Sequence, residues 1–573
     1  MRASHSRATW ALGLLASRTT ALLSKRELLD FNWTSVAPSE DLRYHDCYGG
    51  YKCARLQVPL DWTNTNDSQS QWVAIAIITL PATVSDSDPS FGGPVLVNPG
   101  GPSGSGAEMA LDYGRYLQGV VDSGERHYEI LGFDPRGTGW STPRAECYGD
   151  DLSRLSDFVQ RAGMPPATSP EGLPLHFQAA AGGVKLCAEA EKDSIFAHMS
   201  TASVARDMLE IVERADTLRR RNSTGDPSAS GSPKQAKLQY LGFSYGSYLG
   251  NTFASMFPGR VGRLVVDGIA DPDDFVRGDL KKNINDAEIV VNAFYRTCLE
   301  AGDLCLLRQA RDKSAADVRR RVDAFIRSIE KAPVSAVHEG RVRLITSVLV
   351  RETIRQALYA PAYSAYGALS LALAGSLSGN QTLLLSADFT TLTNRKYTPL
   401  EYTWFVEAGM GVFCGDSAAD AGTRDEAWAR QAVAYYANQS FTTGEAWARL
   451  PLSCSGDWPF KPKYAFRGPF GSPAPGSKPA DRAPAAPLLI LSPRYDHATA
   501  LANAYAMSRR HSGSAVVVQE STGHCALLTS SSECTRRIVR EYFKSGKVPP
   551  NGTTCKEDCS PSIPFKSCPG LGI

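Results

Sequence analysis

The chain has 573 residues, 43% of them hydrophobic and 21% charged, and its 61 Lys and Arg against 59 Asp and Glu leave a formal net charge of +2. Such a length exceeds what one compact core organises, so two structural units are expected. The even charge balance gives no basic surplus for nucleic acid and no acidic tail, and no run of 18 apolar residues after the N-terminal region argues for a membrane span.

Residues 1–24, MRASHSRATWALGLLASRTTALLS, set Arg2 and Arg7 before a short apolar patch that Arg18 and two threonines interrupt. This is the outline of a signal peptide with a weak core. Six N-x-S/T sequons begin at Asn32, Asn66, Asn222, Asn380, Asn438 and Asn551, and are read as glycosylation sites. Thirteen cysteines are spread along the chain, several close together, as at Cys47/Cys53, Cys298/Cys305, Cys525/Cys534 and Cys555/Cys559/Cys568. They lack the tight CxxC pairs of a zinc site, so disulfides in an oxidising, secretory setting are expected, with no metal and no cofactor. The odd count leaves at least one thiol unpaired.

From residue 40 to 275, short β-branched runs ending in Gly or Pro recur: 72–81, 93–101, 128–137, 238–244 and 263–268. Runs this continuous suit strands buried on both faces, as in a parallel sheet covered by helices. Between them, 202–220 carries a helical stripe, and the segment after Ser244 reads as a helix stopped by Pro258-Gly259. The polar tract 221–236 reads as an exposed loop. Over 276–480 helical stretches dominate, such as 312–332 and 425–439, and the Pro- and Ala-rich 467–487 reads as a linker back to the core. Strand runs return at 487–493 and 514–524, within a second core segment spanning 481–550, and 551–573 forms a Cys-containing tail. The alternation argues for an α/β fold, a doubly wound sheet with a largely helical insertion sitting over it.

The segment LQYLGFSYGSYLGN (238–251) carries the chemistry. Ser244 sits between Gly242 and Gly246, after an apolar run and before a helix. A sharp strand-to-helix turn presents such a hydroxyl above the sheet, and small neighbours let the turn close. A serine hydroxyl needs a base oriented by a third group. Asp496 follows one buried run and His524 the next, in the order Ser, Asp, His of an α/β-hydrolase. His524 would take the Ser244 proton and Asp496 would hold the imidazole. Two rivals stand beside them. His497 adjoins Asp496, though sequence neighbours rarely point at one target, and Asp267 also ends a strand. For the oxyanion, the N–H of Tyr245 and the Gly-rich NPGGPSGSG (98–106) supply donors, with Gly101 favoured and Gly100 next to it.

CARLQVPLDW (53–62), NPGGPSGSG (98–106), GFDPRGTGWS (132–141), GFSYGSYLG (242–250) and VVDGIADP (265–272) follow one another in the first half of the chain. SCSGDWP (453–459), YDHATALANA (495–504), STGHC (521–525) and REYFKSGKVPPNGTTC (540–555) follow in the second. As an ordered set these motifs resemble the secreted tripeptidyl aminopeptidases, proline-iminopeptidase-related α/β-hydrolases with a TAP-like C-terminal domain. The resemblance implies the triad Ser244, Asp496 and His524, and an exopeptidase that trims short peptides from a free N-terminus beneath a helical cap. A substrate ammonium buried there needs an acidic partner, and Glu407 and Asp416 in WFVEAGMGVFCGDSA (404–418) are the candidates, with solvated or structural carboxylates the competing reading. The resemblance also implies a Cys414–Cys454 bridge. Where the family usually has a proline after the threonine, Thr499 is followed here by Ala500.

Three functions follow. The leading one is a secreted serine exopeptidase acting on a peptide or small acyl substrate. The second is a carboxylesterase or pathway-specific hydrolase using the same triad. The third is a catalytically inactive binding protein. Oligomeric state is not readable from the sequence.

Overall fold

The computed structural model describes residues 31–64, 71–190, 195–224, 236–359, 362–387, 404–417, 424–456, 458–472 and 486–558. The signal-peptide segment, Asn66, most of the 467–487 linker and the tail beyond 558 lie outside the described residues.

The frame is a ten-stranded sheet. Its strands in chain order are β1 (His45–Cys47), β2 (Tyr51–Pro59), β3 (Trp72–Leu80), β4 (Phe91–Asn98), β5 (His127–Phe133), β6 (Leu238–Phe243) and β7 (Val261–Asp267). After a two-stranded hairpin of β8 (Val334–His338) and β9 (Arg341–Ile345) come β10 (Leu489–Tyr495), β11 (Ala515–Thr522) and β12 (Thr553–Lys556). Across the sheet the order is β1-β2-β3-β5-β4-β6-β7-β10-β11-β12. The seven strands from β5 to β12 run parallel. β3 is antiparallel to both of its neighbours, and β1 is antiparallel to β2. The all-parallel expectation is therefore corrected at β3. A continuous apolar run reports burial on both faces and carries no information about strand direction.

The principal helices before β7 are α1 (Gly106–Val121), α2 (Asp151–Ala162), α3 (Gly172–Ala190), α4 (Thr201–Thr224) and α5 (Tyr245–Met256). Between β7 and β10 come α6 (Pro272–Arg277), α7 (Ala287–Glu300), α8 (Ala315–Lys331), α9 (Ser347–Tyr359) and α10 (Ala362–Leu377). They are followed by α11 (Trp404–Asp416), α12 (Glu426–Gln439) and α13 (Gly444–Leu452), and after β10 by α14 (Leu501–Arg510) and α15 (Glu533–Ser545). The strand period of two divides β3 cleanly. Val73, Ile75 and Ile77 enter the core under α4, α5 and α14, while Ala76, Ile78 and Leu80 enter the one under α1 and α15. A third core, including Val290, Val322, Ile354 and Leu369, is built mainly by α7–α10, with Ile345 of β9 added. Helix α4 runs to Thr224, so the tract read as a loop from 221 begins helical.

Cys47–Cys53, Cys147–Cys187, Cys298–Cys305, Cys414–Cys454 and Cys534–Cys555 form disulfides, and Cys525 is a buried free thiol. Five bridges among the described residues are the pattern of an oxidising compartment. Among the described residues, no helix is long and apolar enough to cross a membrane.

Candidate active site

Ser244 lies between β6 and α5 at φ 56° and ψ −123°, a conformation that L-residues rarely adopt. Its N–H donates to Asp267 O, 2.9 Å away at the end of β7. The turn closes only because its flanks are small: a Cβ on Gly246 would lie 2.7 Å from Asn98 O, and one on Gly242 would lie 2.4 Å from Gly246 O. Every residue from Leu241 to Gly250 is buried except Ser244. The strained turn thus leaves one side chain of the elbow within reach of a substrate.

Asp496 follows the last residue of β10, and His524 lies in the turn after β11. His524 Nδ1 is 3.0 Å from both Asp496 carboxylate oxygens. Asp496 is fully buried and also accepts from Ala498 N–H (2.8 Å), Thr499 N–H (3.0 Å), the Thr499 hydroxyl (2.8 Å) and Cys525 N–H (3.2 Å). Burial alone would raise its pKa. The His524 imidazole and these donors outweigh burial and hold the carboxyl below its ordinary value. An ionised carboxylate only accepts, so Nδ1 carries the proton and Nε2 presents a lone pair. Nε2 is buried without a hydrogen-bond partner among the described residues, so it is not bonded to Ser244 Oγ in this structure. Such bonds tighten on substrate binding.

Neither rival makes this contact. His497 is fully buried, neither of its ring nitrogens has a hydrogen-bond partner among the described residues, and burial pushes its pKa down to about 3. Asp267 uses its carboxylate on Ala526 N–H (2.7 Å) and Leu527 N–H (2.8 Å), holding the backbone after His524, and burial lifts its pKa to about 6.

The glycine-rich loop follows β4. Gly100 stands at φ 100°, and a Cβ there would lie 2.8 Å from Ser244 Cβ and 2.9 Å from Tyr245 N. Its own N–H is taken by Asn98 Oδ1 at 3.0 Å. Gly101 N–H has no partner among the described residues, and Tyr245 N–H opens α5, where no preceding turn supplies an acceptor. Of the two glycines, Gly101 is the one with a donor to offer. Asp134 braces the loop, accepting from the Ser105 hydroxyl, Ala107 N–H (3.2 Å) and Trp140 N–H (2.8 Å).

Residues 439–555 match the family described as TAP-like protein. Over nearly the whole chain the sequence is similar to the serine protease Hip1 of Mycobacterium tuberculosis, 27% identical across 88% of each chain. It is also similar to the tripeptidyl aminopeptidase of Streptomyces lividans, 25% identical across 89% of this chain and 84% of that one. The full-length likeness is thus to serine hydrolases, and the TAP-like match lies in the C-terminal part of the chain. A shorter stretch, 27% of the chain, is 35% identical to carboxylesterase B of M. tuberculosis, 28% of which it covers.

The two acidic candidates sit at opposite parts of α11. Glu407 is buried, accepts from Cys147 N–H (2.8 Å) and pairs with Arg154 Nε (3.2 Å). Asp416 accepts from Thr201 N–H through both oxygens, at 3.1 and 3.2 Å, and burial raises its pKa to about 7. The Thr201 hydroxyl lies 2.5 Å from Tyr245 OH, which puts Asp416 behind the elbow side chain. Between the two, a Cβ on Gly409 would be 3.3 Å from Pro102 O, so α11 rests on the glycine-rich loop. The sequon residues Asn32, Asn222, Asn380, Asn438 and Asn551 are all exposed.

Several residues around the site escaped the sequence reading. Tyr359, at the end of α9, stands edge-on to His497 (4.4 Å between ring centroids) and to His524 (5.2 Å). Arg136 is fully buried and forks onto Asp207 at 2.7 and 2.6 Å, while donating to Pro59 O, Leu60 O and His198 O. Nothing in the α9 pattern marks Tyr359. Arg136 lies inside GFDPRGTGWS, a segment whose charged residue could have been asked for its partner. Among the described residues, no group of three or more His, Cys, Asp or Glu is placed to hold a metal ion.

Proposed function

We propose that the protein is a secreted serine exopeptidase that releases tripeptides or similarly short fragments from free peptide N-termini. Ser244 Oγ attacks the scissile carbonyl while His524 Nε2 takes its proton. Asp496 holds the tautomer and the resulting cation, and the N–H groups of Gly101 and Tyr245 receive the oxyanion. His524 then protonates the departing amine, and water, deprotonated by the same Nε2, releases the acyl group from Ser244. The observation that carries this reading is His524 itself: one nitrogen is held by a buried carboxylate and the other has no hydrogen-bond partner among the described residues. The strained, accessible Ser244 donates its N–H to the Asp267 carbonyl that Cys525, the residue after His524, also faces. The exopeptidase reading draws on the likeness to the tripeptidyl aminopeptidase, and secretion draws on the five disulfides and the exposed sequons.

A second reading, carboxylester hydrolysis, is favoured by the likeness to carboxylesterase B. Chromogenic tripeptide anilides with free amines, the same peptides N-acetylated, and p-nitrophenyl esters separate the two. The proposal expects the free-amine peptides to be cleaved with the highest kcat/KM. Cleavage of esters or acetylated peptides with free-amine peptides untouched would sink it.

A further inference from the structure

A cavity of about 610 Å3 opens between the end of α6 and the face of α12, and none of its lining residues belongs to the elbow or to the turns after β10 and β11. Its charged lining is Arg277, Lys281 and Arg424 against the single carboxylate of Asp279. Arg424 is the unusual member. It is 7% exposed, donates one hydrogen bond to Pro451 O at 3.3 Å, lies 5.1 Å over the Trp428 ring, and has no ion pair among the described residues. A guanidinium taken out of water without an anion is costly. Burial lowers the Arg424 pKa, and Asp279 opposes this only in part, being shared with Arg277 (3.5 Å) and Lys281 (3.7 Å). The fold nonetheless makes room for this arginine. Gly278 has φ 68°, and a Cβ there would lie 2.1 Å from Arg424 Nη2. The remaining walls are aromatic, with Trp428 from α12 and Tyr435, over whose ring Lys281 sits at 5.2 Å.

We propose that this cavity is a binding site for a small organic carboxylate with an aromatic or apolar body. Arg424 forks onto the carboxylate, Lys281 adds charge at the mouth, and Trp428 and Tyr435 pack the body. A planar guanidinium with most of its N–H groups uncommitted matches a carboxylate's two oxygens, and the volume suits a ligand of that size. The net positive lining favours an anion over a zwitterion or a cation.

Calorimetric titration of the full chain with benzoate and with benzamide, its neutral counterpart of the same shape, tests the assignment. Benzoate is expected to bind at one saturable site and benzamide at least about tenfold more weakly, because a charged hydrogen-bonding partner is lost. Arg424→Gln is expected to weaken benzoate by about tenfold or more. Lys281→Gln alters a side chain 45% exposed, leaves the core untouched, and is expected to weaken benzoate severalfold even if Arg424→Gln does not fold. No saturable binding of benzoate up to about 10 mM, equal binding of benzamide, or unchanged affinity in the folded variants would each overturn the proposal.

Discussion

Ser244 and Cys525 converge on one acceptor: the Asp267 carbonyl takes the Ser244 N–H at 2.9 Å and faces the Cys525 thiol at 3.4 Å. Cys525 directly follows His524, and the Asp267 carboxylate holds the next two N–H groups, of Ala526 and Leu527. The end of β7 therefore ties the strained elbow to the turn that carries the imidazole. Neither element needs to touch the other for their spacing to be set.

That arrangement separates two aspartates that the sequence leaves as rivals. Asp496→Asn removes the acceptor that fixes the His524 tautomer, so kcat is expected to fall by about three to four orders of magnitude, with a stability cost of about 1–3 kcal/mol because the amide nitrogen cannot accept the donors held by one carboxylate oxygen. Asp267→Ala strips two buried N–H groups of their acceptor and is expected to cost about 2–5 kcal/mol of stability. Its loss of kcat should be far smaller than that of Asp496→Asn. Steady-state kinetics alongside thermal unfolding would check both, and equal kinetic losses would mean the acid is misassigned.

Ser244→Ala is expected to lower turnover on every substrate by at least about three orders of magnitude while the chain still folds. Substantial residual activity in a preparation free of wild-type enzyme would remove Ser244 from the mechanism.

Gly100→Ala tests the glycine-rich loop. The new Cβ would lie 2.5 Å from Phe243 O and 2.9 Å from Tyr245 N, at a φ of 100°. The loop must retreat from the elbow, so kcat is expected to drop by about two orders of magnitude, the scale of a lost oxyanion donor, with a smaller change in KM. A variant with unchanged kcat would place the oxyanion donors elsewhere.

What the sequence disclosed divides along physical lines. β4, β6, β7, β10 and β11 are short runs buried on both faces, and burial leaves its mark in composition. Ser244, Asp496 and His524 were singled out because each follows such a run, in an order tied to one chemistry, and of these the structure joins Asp496 to His524. The direction of β3 was not legible, because pairing partners leave no trace in a strand's own residues. The β8–β9 hairpin was not read: its turn sets both Glu339 and Gly340 at positive φ, and glutamate is not among the residues that announce such a turn. Tyr359 and the Arg136–Asp207 pair are products of tertiary packing, visible only once α9 and α4 are placed.

The Arg136–Asp207 pair joins GFDPRGTGWS to α4 and to the end of β2, with both side chains fully buried. Asp207→Ala leaves the guanidinium uncompensated and is expected to cost about 3–5 kcal/mol, read as a lower denaturant midpoint. The pair touches neither Asp496 nor His524, so kcat/KM of the folded fraction should stay near the wild-type value.

Asp416 makes stability depend on pH. Its pKa rises from an ordinary 3.8 to about 7 in the fold, with burial the main cause and the Thr201 N–H and hydroxyl only partly offsetting it. Between about pH 4 and pH 7 the folded chain keeps a proton that the unfolded chain has released, so stability falls as pH rises through that window. Asp416→Asn keeps an acceptor for Thr201 N–H and removes the titration. Relative to wild type, the variant is expected to gain up to about 4 kcal/mol on going from pH 4 to pH 7. Thermal unfolding of both proteins across that range is the measurement. Parallel stability curves would show that Asp416 is already ionised in the fold near pH 4, and that the cap tolerates its charge.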